Sequence, residues 1–446
     1  MMTANEKREL YMKAYNQSKD EIDAKIADGI EKNRKGWCKV RVTDQNGNPV
    51  SGKKIKITQK KHDFKFGANI FMLDEFENEA DNAEYRRFFK EYFNLATVPF
   101  YWDALEPVEG QPRYDKNSEK IYRRPAPELC MEYCEENGIS AKLHCLFYDK
   151  FYPSWLKGRS FEETEAKYVE HFREIANRYN GRMVEFEVIN ELLLFHGLRT
   201  PMYMRKDAVE WAFSEARRFM PNETLVINDG VSDRGIANQE YRHPYYMMIE
   251  NALMKGVKID KIGLQNHLFT GASAHTPEEY ESSVKSGAFM NDLSLRFKGL
   301  DIMAELGLPL EITEVTVPTF GETPEDEELQ ADILKLWYSV WFSHPAVDTI
   351  VYWNTVDGYA YTGNDNWVEN NCRGGLWHHD LTPKKSALML KKLFGEIWHT
   401  DLALTTDENG YVEFRGFYGD YTVEVDKKEL GLGIHKNKNN SVVLSF

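Results

Sequence analysis

The fold is indicated most directly by the stretch Phe186-Glu187-Val188-Ile189-Asn190-Glu191. This stretch is a short apolar run that ends in a glutamate, and Ile312-Thr313-Glu314 repeats the pattern further along the chain. Runs of this kind are typical of buried parallel strands, and the terminal glutamate places a carboxylate at the strand end. Each glutamate alone could be an ordinary rim carboxylate, because strand ends are commonly polar. Whether the two glutamates form a functional pair therefore depends on the pattern of the surrounding chain.

Strand and helix patterns alternate over most of the chain, which predicts an α/β protein with a parallel sheet. The helical pattern is clearest at 161–179, where Tyr168, Phe172 and Ile175 fall on one face. Eight strand-and-helix units fit a (β/α)8 TIM barrel over about residues 63–398. The candidate strands are Phe64–Ile70, Phe93–Tyr101, Ser140–Leu146, Val184–Asn190, Thr224–Asp229, Lys261–Leu268, Pro309–Val315 and Asp348–Thr355.

The two glutamates fall at equivalent places in this barrel. Glu191 ends the fourth strand and Glu314 the seventh, which predicts both at the C-terminal face, where barrel enzymes keep their chemistry. Two carboxylates there could flank a glycosidic bond, one as acid/base and the other as nucleophile. A doubly wound sheet would show similar periodicity, but no glycine-rich phosphate loop follows an early strand of the sequence.

Composition narrows the classes of partner. The net charge is −15 over 446 residues, which disfavours nucleic acid and anionic membranes because both require basic patches. A neutral oligo- or polysaccharide is indifferent to that charge. No run of 18 apolar residues occurs, so the sequence predicts no membrane span. Oligomeric state is left open by the sequence.

Location and metal binding follow from the chain start and the cysteines. The first residues are charged, so we expect no signal peptide and a cytoplasmic protein; a secreted protein whose signal has been removed is the alternative. Five scattered cysteines favour reduced thiols. Cys130 and Cys134 lie one helical turn apart, but no Cys/His pair nearby would complete a metal site, so we expect neither a metal nor a cofactor.

Two terminal segments flank the predicted barrel. Residues 1–62 predict a polar helix with a stripe of Ile22, Ile26 and Ile30, followed by a small β element. Residues 399–446 predict a C-terminal β appendage of short strands between turns. The two β elements could share a sheet. A carbohydrate-binding module and a structural cap are both possible for the appendage, and the cap is favoured because both chain ends of a barrel lie near its non-catalytic face.

Short motifs occur in a particular order along residues 63–395. They are Trp102-Asp103-Ala104-Leu105-Glu106-Pro107, Pro153-Ser154-Trp155-Leu156, Glu185–Glu191, Asn228-Asp229, Gly263-Leu264-Gln265-Asn266-His267-Leu268, Ile312-Thr313-Glu314 and Asp380–Ala387. In this order they resemble the strand-end motifs of glycoside hydrolase family 10, the xylanase family of retaining (β/α)8 glycosidases. Any one motif is weak, whereas seven in order form a strong resemblance.

The resemblance implies roles for the strand-end residues. Glu191 would be the general acid/base and Glu314 the nucleophile, with their carboxyls about 5–5.5 Å apart as retention requires. Asn190 would bond the 2-hydroxyl of the reacting sugar, and His267 would orient Glu314. The residues implied in substrate binding are His144, Asn190, Gln265, His267, Trp353, Trp367 and Tyr101.

The sequence also departs from the family pattern. After the second strand, the polar residues with which family xylanases hold the sugar at subsite −2 are replaced by the run Thr97–Tyr101, so that Phe100 and Tyr101 are expected on the rim. After the third strand, Tyr148 and Asp149 replace a tryptophan and a histidine. The catalytic pair is thus retained while the residues that recognise the sugar differ.

Two classes of function fit these residues. The favoured one is a retaining β-glycoside hydrolase, similar to endo-β-1,4-xylanases, that degrades xylan or a related β-linked polysaccharide. A β-glycosidase with a non-xylan substrate differs from it only in the distal subsites. The alternative class is a non-catalytic carbohydrate-binding descendant, which would be free to lose a glutamate, yet both glutamates are present together with Asn190 and His267.

Overall fold

The strands and helices of the computed structural model follow the predicted alternation over the residues it describes, which are 2–194, 200–363 and 367–446. The strands are β1 (Lys35–Thr43), β2 (Lys54–His62), β3 (Lys65–Asn69), β4 (Leu95–Pro99), β5 (Ser140–His144), β6 (Glu185–Asn190), β7 (Thr224–Asn228), β8 (Lys261–His267), β9 (Leu310–Thr316), β10 (Val347–Tyr352), β11 (Asp401–Thr405), β12 (Tyr411–Phe417), β13 (Gly419–Val425), β14 (Lys428–Ile434) and β15 (Ser441–Ser445).

Helices lie between most of these strands. They are α1 (Ala4–Gln17), α2 (Lys19–Arg34), α3 (Glu79–Tyr92), α4 (Trp102–Leu105), α5 (Pro127–Asn137), α6 (Phe161–Tyr179), α7 (Ala208–Phe219), α8 (Asp233–Gln239), α9 (Pro244–Met254), α10 (Pro277–Gly287), α11 (Leu293–Ala304), α12 (Pro324–Ser343) and α13 (Lys385–Lys392). Short 3₁₀ turns lie at Asp149–Phe151, Ser154–Leu156, Glu240–Arg242, Ala288–Asn291 and Glu369–Cys372, and a π turn lies at Leu393–Ile397.

Strands β3 to β10 close a parallel barrel in the order β10-β3-β4-β5-β6-β7-β8-β9. All eight predicted barrel strands are present, with ends shifted by a few residues, and the (β/α)8 fold is confirmed. Closure removes every sheet edge and brings the C-terminal ends of all eight strands to one mouth. This is the geometry that places Glu191, just after β6, and Glu314, on β9, at the same face.

Helix α6 shows why the outer layer forms where the sequence predicts it. Ser160 and Glu163 form a capping box that satisfies the first backbone N–H groups of the helix. The stripe of Tyr168, Phe172 and Ile175 is buried against the barrel, while charged residues cover the opposite face.

The N-terminal segment differs in one respect from its prediction. It is two helices rather than one, because the backbone turns at Ser18, which lies outside the helical region with φ −125° and ψ 22°. Ile22 and Ile26 are buried, and α2 packs against α12. The predicted stripe lies on α2 and docks that helix on the barrel, while α1 docks separately through Tyr11 and Tyr15.

Strands from both terminal segments form one β-sandwich. Its sheets are ordered β12-β1-β15 and β11-β2-β13-β14. The apolar layer between them consists of Cys38, Val40, Val42, Ile55, Ile57, Val412, Phe414, Tyr421, Val423, Val425, Leu432, Ile434 and Leu444. The sharing of a sheet, which the sequence left open, is thus present in the structure, and the division of the chain at residues 62 and 398 stays a prediction.

Buried ion pairs occupy the base of the barrel, at the N-terminal ends of its strands. The Lys142 ammonium lies 2.7 Å from Glu311 Oε1, and Lys261 pairs with Glu185 and, at 2.8 Å, with Asp348. Burial would raise the pKa of Glu185, but Lys261 and Lys142 outweigh it and lower the pKa to about 2. The pKa of Glu311 rises instead, because burial and the nearby Glu185 outweigh Lys142.

Among the described residues, no helix combines the length and apolar character that a membrane crossing requires.

Candidate active site

The mouth of the barrel opens into a cavity of about 520 Å³, a volume typical of small-ligand sites. Side chains from the ends of several strands line it, as the barrel geometry dictates. All nine residues singled out from the sequence are among them: Tyr101, His144, Asn190, Glu191, Gln265, His267, Glu314, Trp353 and Trp367.

Glu191 and Glu314 face one another across a shared amide. Gln265 Nε2 lies 3.1 Å from Glu191 Oε1 and 3.0 Å from Glu314 Oε1, so these two oxygens can be no more than about 6.1 Å apart, the sum of the two distances. That bound lies below the separation of roughly 6.5–9.5 Å at which inverting glycosidases hold their two carboxyls. The pair is therefore close enough for direct attack by one carboxylate.

A second amide, that of Asn228, organises the floor of the site. Its Nδ2 lies 3.1 Å from Glu187 Oε1, 3.0 Å from Asn190 Oδ1 and 3.2 Å from Glu314 Oε1. Gly263 on β8 makes room for it, because a Cβ there would approach Asn228 Oδ1 to 2.6 Å. The glycine thus allows one neutral donor to reach three acceptors.

Hydrogen bonds and burial act on Glu314 in opposite ways. Burial raises its pKa well above the ordinary value; His144 opposes the rise, and Glu191 adds to it. His267 Nε2 lies 3.0 Å from Glu314 Oε2, while its Nδ1 lies 3.0 Å from Thr316 Oγ1. Burial lowers the pKa of His267 to about 4, so the neutral ring donates from Nε2 and accepts at Nδ1.

The pKa of His144 shifts in the opposite direction to that of His267. Its Nδ1 lies 2.9 Å from Glu187 Oε1. Burial disfavours the charged ring, but attraction to Glu187 outweighs burial and raises the pKa of His144. On its other side, His144 Nε2 lies 2.9 Å from the Tyr101 hydroxyl. A buried imidazole held at both nitrogens, with a raised pKa, thus borders the cavity beside the two glutamates.

Aromatic rings form the walls. Trp353 is buried, with its ring centroid 5.2 Å from that of His144. Trp367 is more exposed and meets the edge of Phe269, which stacks on His267 at 4.2 Å. Flat faces of this kind fit the C–H face of a sugar ring.

Of the four residues near the mouth that depart from the family pattern, two face the cavity and two do not. Phe100 was expected on the rim but points away from the cavity, is fully buried and packs on Tyr179 at 5.1 Å. Tyr101, one residue later, faces inward. Tyr148 donates a hydrogen bond to Glu191 Oε2, whereas Asp149 is buried and accepts from Thr200.

Sequence reasoning missed the basic side of the cavity. Arg123, Arg124 and Lys150 line it, and none belongs to a barrel strand. The only sequence signal is the doublet Arg123-Arg124 in a loop, and a doublet in a loop carries no periodicity. Tyr361 and Phe151, which pack against these cations, were missed for the same reason.

One group of described residues has the composition of a metal site. His144, Cys145 and Glu187 bring their ligand atoms within 4.8 Å of one another, and all three are buried. The Lys142 ammonium lies 3.4 Å from Glu187 Oε2, and attraction to Glu187 raises the pKa of His144. An ammonium already at this carboxylate opposes a further cation, so these residues fit an ion-pair network better than a cation site.

Comparisons with known proteins agree with this geometry. The family model described as glycosyl hydrolase family 10 matches residues 57–391. The anti-sigma-I factor RsgI6 of Acetivibrio thermocellus is 25% identical over 402 residues, covering 89% of this chain and 45% of that protein. Endo-1,4-beta-xylanase 2 of Arabidopsis thaliana is 26% identical over 386 residues, covering 85% of this chain and 31% of that protein. The chain thus spans less than half the length of these curated relatives.

Among solved structures, native xylanase 10B from Thermotoga maritima superposes with a TM-score of 0.58 at 21% identity, covering 75% of this chain and 96% of that one. The xylanase 10B of Thermotoga petrophila, solved with xylobiose, superposes with a TM-score of 0.57 at 21% identity, covering 75% of this chain and 95% of that one. At these identities the likeness concerns the fold.

Proposed function

Because the chain belongs to glycosyl hydrolase family 10, we propose that it is a retaining β-glycoside hydrolase that cleaves xylan or a related β-linked oligo- or polysaccharide. The observation that carries this proposal is the Gln265 amide nitrogen, which bridges Glu191 and Glu314 and limits the separation of their oxygens to about 6.1 Å. At that distance a carboxylate can reach the anomeric carbon without an intervening water.

The reaction would proceed in two displacements. In the first, a Glu314 carboxylate oxygen bonds to the anomeric carbon while the glycosidic C–O bond breaks and Glu191 gives its proton to the departing oxygen. In the second, water attacks the anomeric carbon, Glu191 takes a proton from that water, and the ester bond to Glu314 breaks. The product keeps the configuration of the substrate.

The surrounding amides support sugar binding at the reacting centre. Asn190 Oδ1 accepts from Asn228 and lies 3.2 Å from Gln265 Nε2, which leaves the Asn190 Nδ2 group to donate to a sugar hydroxyl. His144 would contact the same sugar, and Trp353 and Trp367 would enclose it between their rings.

A non-catalytic carbohydrate-binding role is the alternative, and one observation favours it. A relative that covers most of this chain is named an anti-sigma-I factor rather than an enzyme. A binding protein of this fold would keep the aromatic walls but would not turn over substrate. A β-glycosidase with a non-xylan substrate would share the catalytic pair and differ in the distal subsites.

The test is to follow product formation from xylans, xylo-oligosaccharides, mannans and β-glucans. Reducing-sugar release identifies the substrate, and proton NMR of the first product identifies its anomeric configuration. We expect the β anomer first, and mass spectrometry should find Glu314 labelled by a 2-deoxy-2-fluoro glycoside of the preferred sugar. The α anomer as first product would exclude retention, and binding without turnover on every substrate would favour the non-catalytic role.

A further inference from the structure

Three basic side chains form a cluster on one side of the cavity, made up of Arg123, Arg124 and Lys150. The two arginines come from the loop before α5, and Lys150 comes from the 3₁₀ turn after β5. These loops bring the cluster to the same cavity as the two glutamates. The cluster is unexpected in a chain of net charge −15.

Arg123 forms the back of the cluster. It is 4% exposed and donates to the Tyr359 carbonyl and, at 3.1 Å, to Asn354 Oδ1. Its Nε has no hydrogen-bond partner among the described residues. A buried cation without a carboxylate beside it is costly, and its positive field reaches the cavity in front of it.

Arg124 and Lys150 present the accessible charges. Arg124 lies 3.8 Å above the Tyr101 ring and donates to the Arg123 carbonyl at 2.9 Å. Lys150 lies 4.5 Å above the Tyr361 ring, and both cations flank the ring of Phe151. Within the described ranges, neither cation forms an ion pair with a carboxylate.

Two other buried cations of this chain are paired with acids, although Arg34 and Arg113 bond to backbone carbonyls instead. Arg296 lies 2.6 Å from Asp233, and Lys384 lies 2.6 Å from Asp357. Near the cluster the acidic candidates are Asp103 and Glu369, but Glu369 bonds to Asn354 at 2.8 Å and to Trp367 at 3.4 Å instead. Attraction to Asp103 acts on Arg124 without a described ion pair between them, so Arg124 and Lys150 both reach the cavity without a bound carboxylate among the described residues.

The position of the cluster relates it to the substrate. The Tyr101 hydroxyl bonds to His144, and Arg124 covers the face of the same tyrosine ring. If His144 contacts the reacting sugar, Arg124 lies one ring further along the glycone side. A neutral sugar gives no reason for two uncompensated cations there, whereas a guanidinium matches the planar geometry of a carboxylate.

We propose that Arg124 and Lys150 bind the carboxylate of a uronic acid that branches from the glycone side of the substrate. The proposal rests on the proposed hydrolase function and specifies its substrate class as acidic, branched β-linked oligosaccharides. Arg123 supports this role as a positioning residue, because its carbonyl accepts from Arg124.

The test compares two xylo-oligosaccharides that differ only in their branch. One carries a glucuronic acid branch, and in the other the carboxyl group is reduced to give a neutral glucose branch. We expect the wild-type ratio of kcat/KM, acidic over neutral, to be about 10 to 100, the range that follows from one or two hydrogen bonds to a charged group. Arg124→Met and Lys150→Met should each lower this ratio several-fold, and Arg124→Lys should retain part of it.

The control is Arg178→Met, which removes another arginine that covers a tyrosine ring, at 4.2 Å from Tyr114 and outside the cavity. It should leave the ratio unchanged. Calorimetric titration of Glu314→Gln with both oligosaccharides reports binding where turnover is slow. An oligosaccharide with its uronic acid at the end of the main chain separates recognition of a branch from recognition of a terminal acid.

The outcomes distinguish the two proposals. If none of these oligosaccharides nor an aryl β-xyloside is hydrolysed, the proposed function fails. If they are hydrolysed with a wild-type ratio near 1, or if the ratio is high but unchanged in Arg124→Met and Lys150→Met, the hydrolase remains and the carboxylate receptor is excluded. If the oligosaccharide with its uronic acid at the end of the main chain is preferred over the branched one, recognition of a branch is excluded.

Discussion

The barrel encloses carboxylates at both of its ends, and their partners differ. At the base, Glu185 and Glu311 lie against the ammonium groups of Lys261 and Lys142. At the mouth, Glu314 accepts from donors that carry no charge, namely two side-chain amides and a neutral imidazole. The base thus pairs its carboxylates with ammonium groups, whereas the donors that bond directly to Glu314 are neutral.

This difference bears on the proposed chemistry. At Glu185, the ammonium groups of Lys261 and Lys142 outweigh burial and stabilise the anion, which makes this carboxylate a poor acid. Neutral donors orient a carboxylate without fixing its charge, so a proton or a covalent bond can come and go. On the proposed function, the same residue type would therefore be structural at Glu185 on β6 and reactive at Glu314 on β9.

The largest expected effect is that of Glu314→Ala. Loss of the nucleophile should lower kcat roughly 10⁴-fold or more with the fold intact, because covalent catalysis is lost. Added azide should then yield an α-glycosyl azide, which chromatography and NMR would detect. The matched control is Glu311→Gln, three residues earlier on the strand, which should keep kcat within about threefold because it lies outside the reacting site. Near-wild-type activity in Glu314→Ala would show that this carboxylate at the mouth is no more reactive than those at the base.

The next effect concerns Glu191→Ala. The variant should be slowed far more on substrates with poor leaving groups than on activated aryl glycosides, which need little protonation. The basic limb of its pH–rate profile should flatten, because that limb reports loss of the acid's proton. Steady-state kinetics on a series of aryl glycosides measures both effects. Equal losses across the series would count against the acid role.

At the base, Lys261→Met should weaken the fold rather than the chemistry. It leaves Glu185 buried without its ammonium, and we expect the free energy of unfolding to fall by about 3–5 kcal/mol. Urea denaturation measures the loss, and kcat per folded molecule should not change. The control is Lys255→Met, which breaks an exposed pair with Glu210 and should cost less than about 1 kcal/mol. A loss of turnover without a loss of stability would show that base and mouth are coupled.

The smallest effect is on the pH dependence of stability. Burial lowers the pKa of His62, near the base, to about 3, below the unfolded value near 6.5. Its contribution is therefore complete above pH 6.5 and is lost as the pH falls toward 3, by about 2 kcal/mol at pH 5. His144 at the mouth acts in the reverse sense, because its raised pKa contributes stability at low pH that is lost as the pH rises.

His62→Asn keeps an acceptor for the Phe64 N–H, which lies 2.9 Å from the His62 Nδ1, and removes the titrating ring. Unfolding curves between pH 4 and 7 should be flatter for this variant than for the wild-type protein. Identical slopes would mean that other groups dominate acid unfolding.

The barrel and the meeting of Glu191 and Glu314 at its mouth could be predicted from the sequence because both depend on local patterns. Each barrel strand is a short apolar run, and the strand ends locate Glu191 and Glu314 without knowledge of distant contacts. Phe100 shows where such patterns fail. It precedes Tyr101 by one residue, and neighbouring side chains in extended chain point to opposite sides, so only one of the two could face the cavity.

The basic cluster and the sandwich could not be predicted in this way. Arg124 and Lys150 meet only because two loops converge, and loops have no periodicity to locate their side chains. The bounds of the individual strands in the appendage were not predicted; β14 contains two glycines, and a short strand with glycine resembles a turn in sequence. The pairing of β1 with β12 and β15 depends on residues hundreds of positions away.

The pairing of strand β2 with strand β11, in the other sheet of the sandwich, has a consequence for synthesis on the ribosome. Strand β2 ends at His62, whereas its partner β11 begins at Asp401, and a ribosome adding about 5–20 residues per second needs roughly 20–70 s to connect them. For that time the apolar face formed by Ile55 and Ile57 has no partner strand. The sequence Lys54-Ile55-Lys56-Ile57 alternates a lysine with each isoleucine. Lysines on an unpaired strand discourage association with other nascent chains, so a strand that becomes central in the folded sheet carries the protection usually found on an edge.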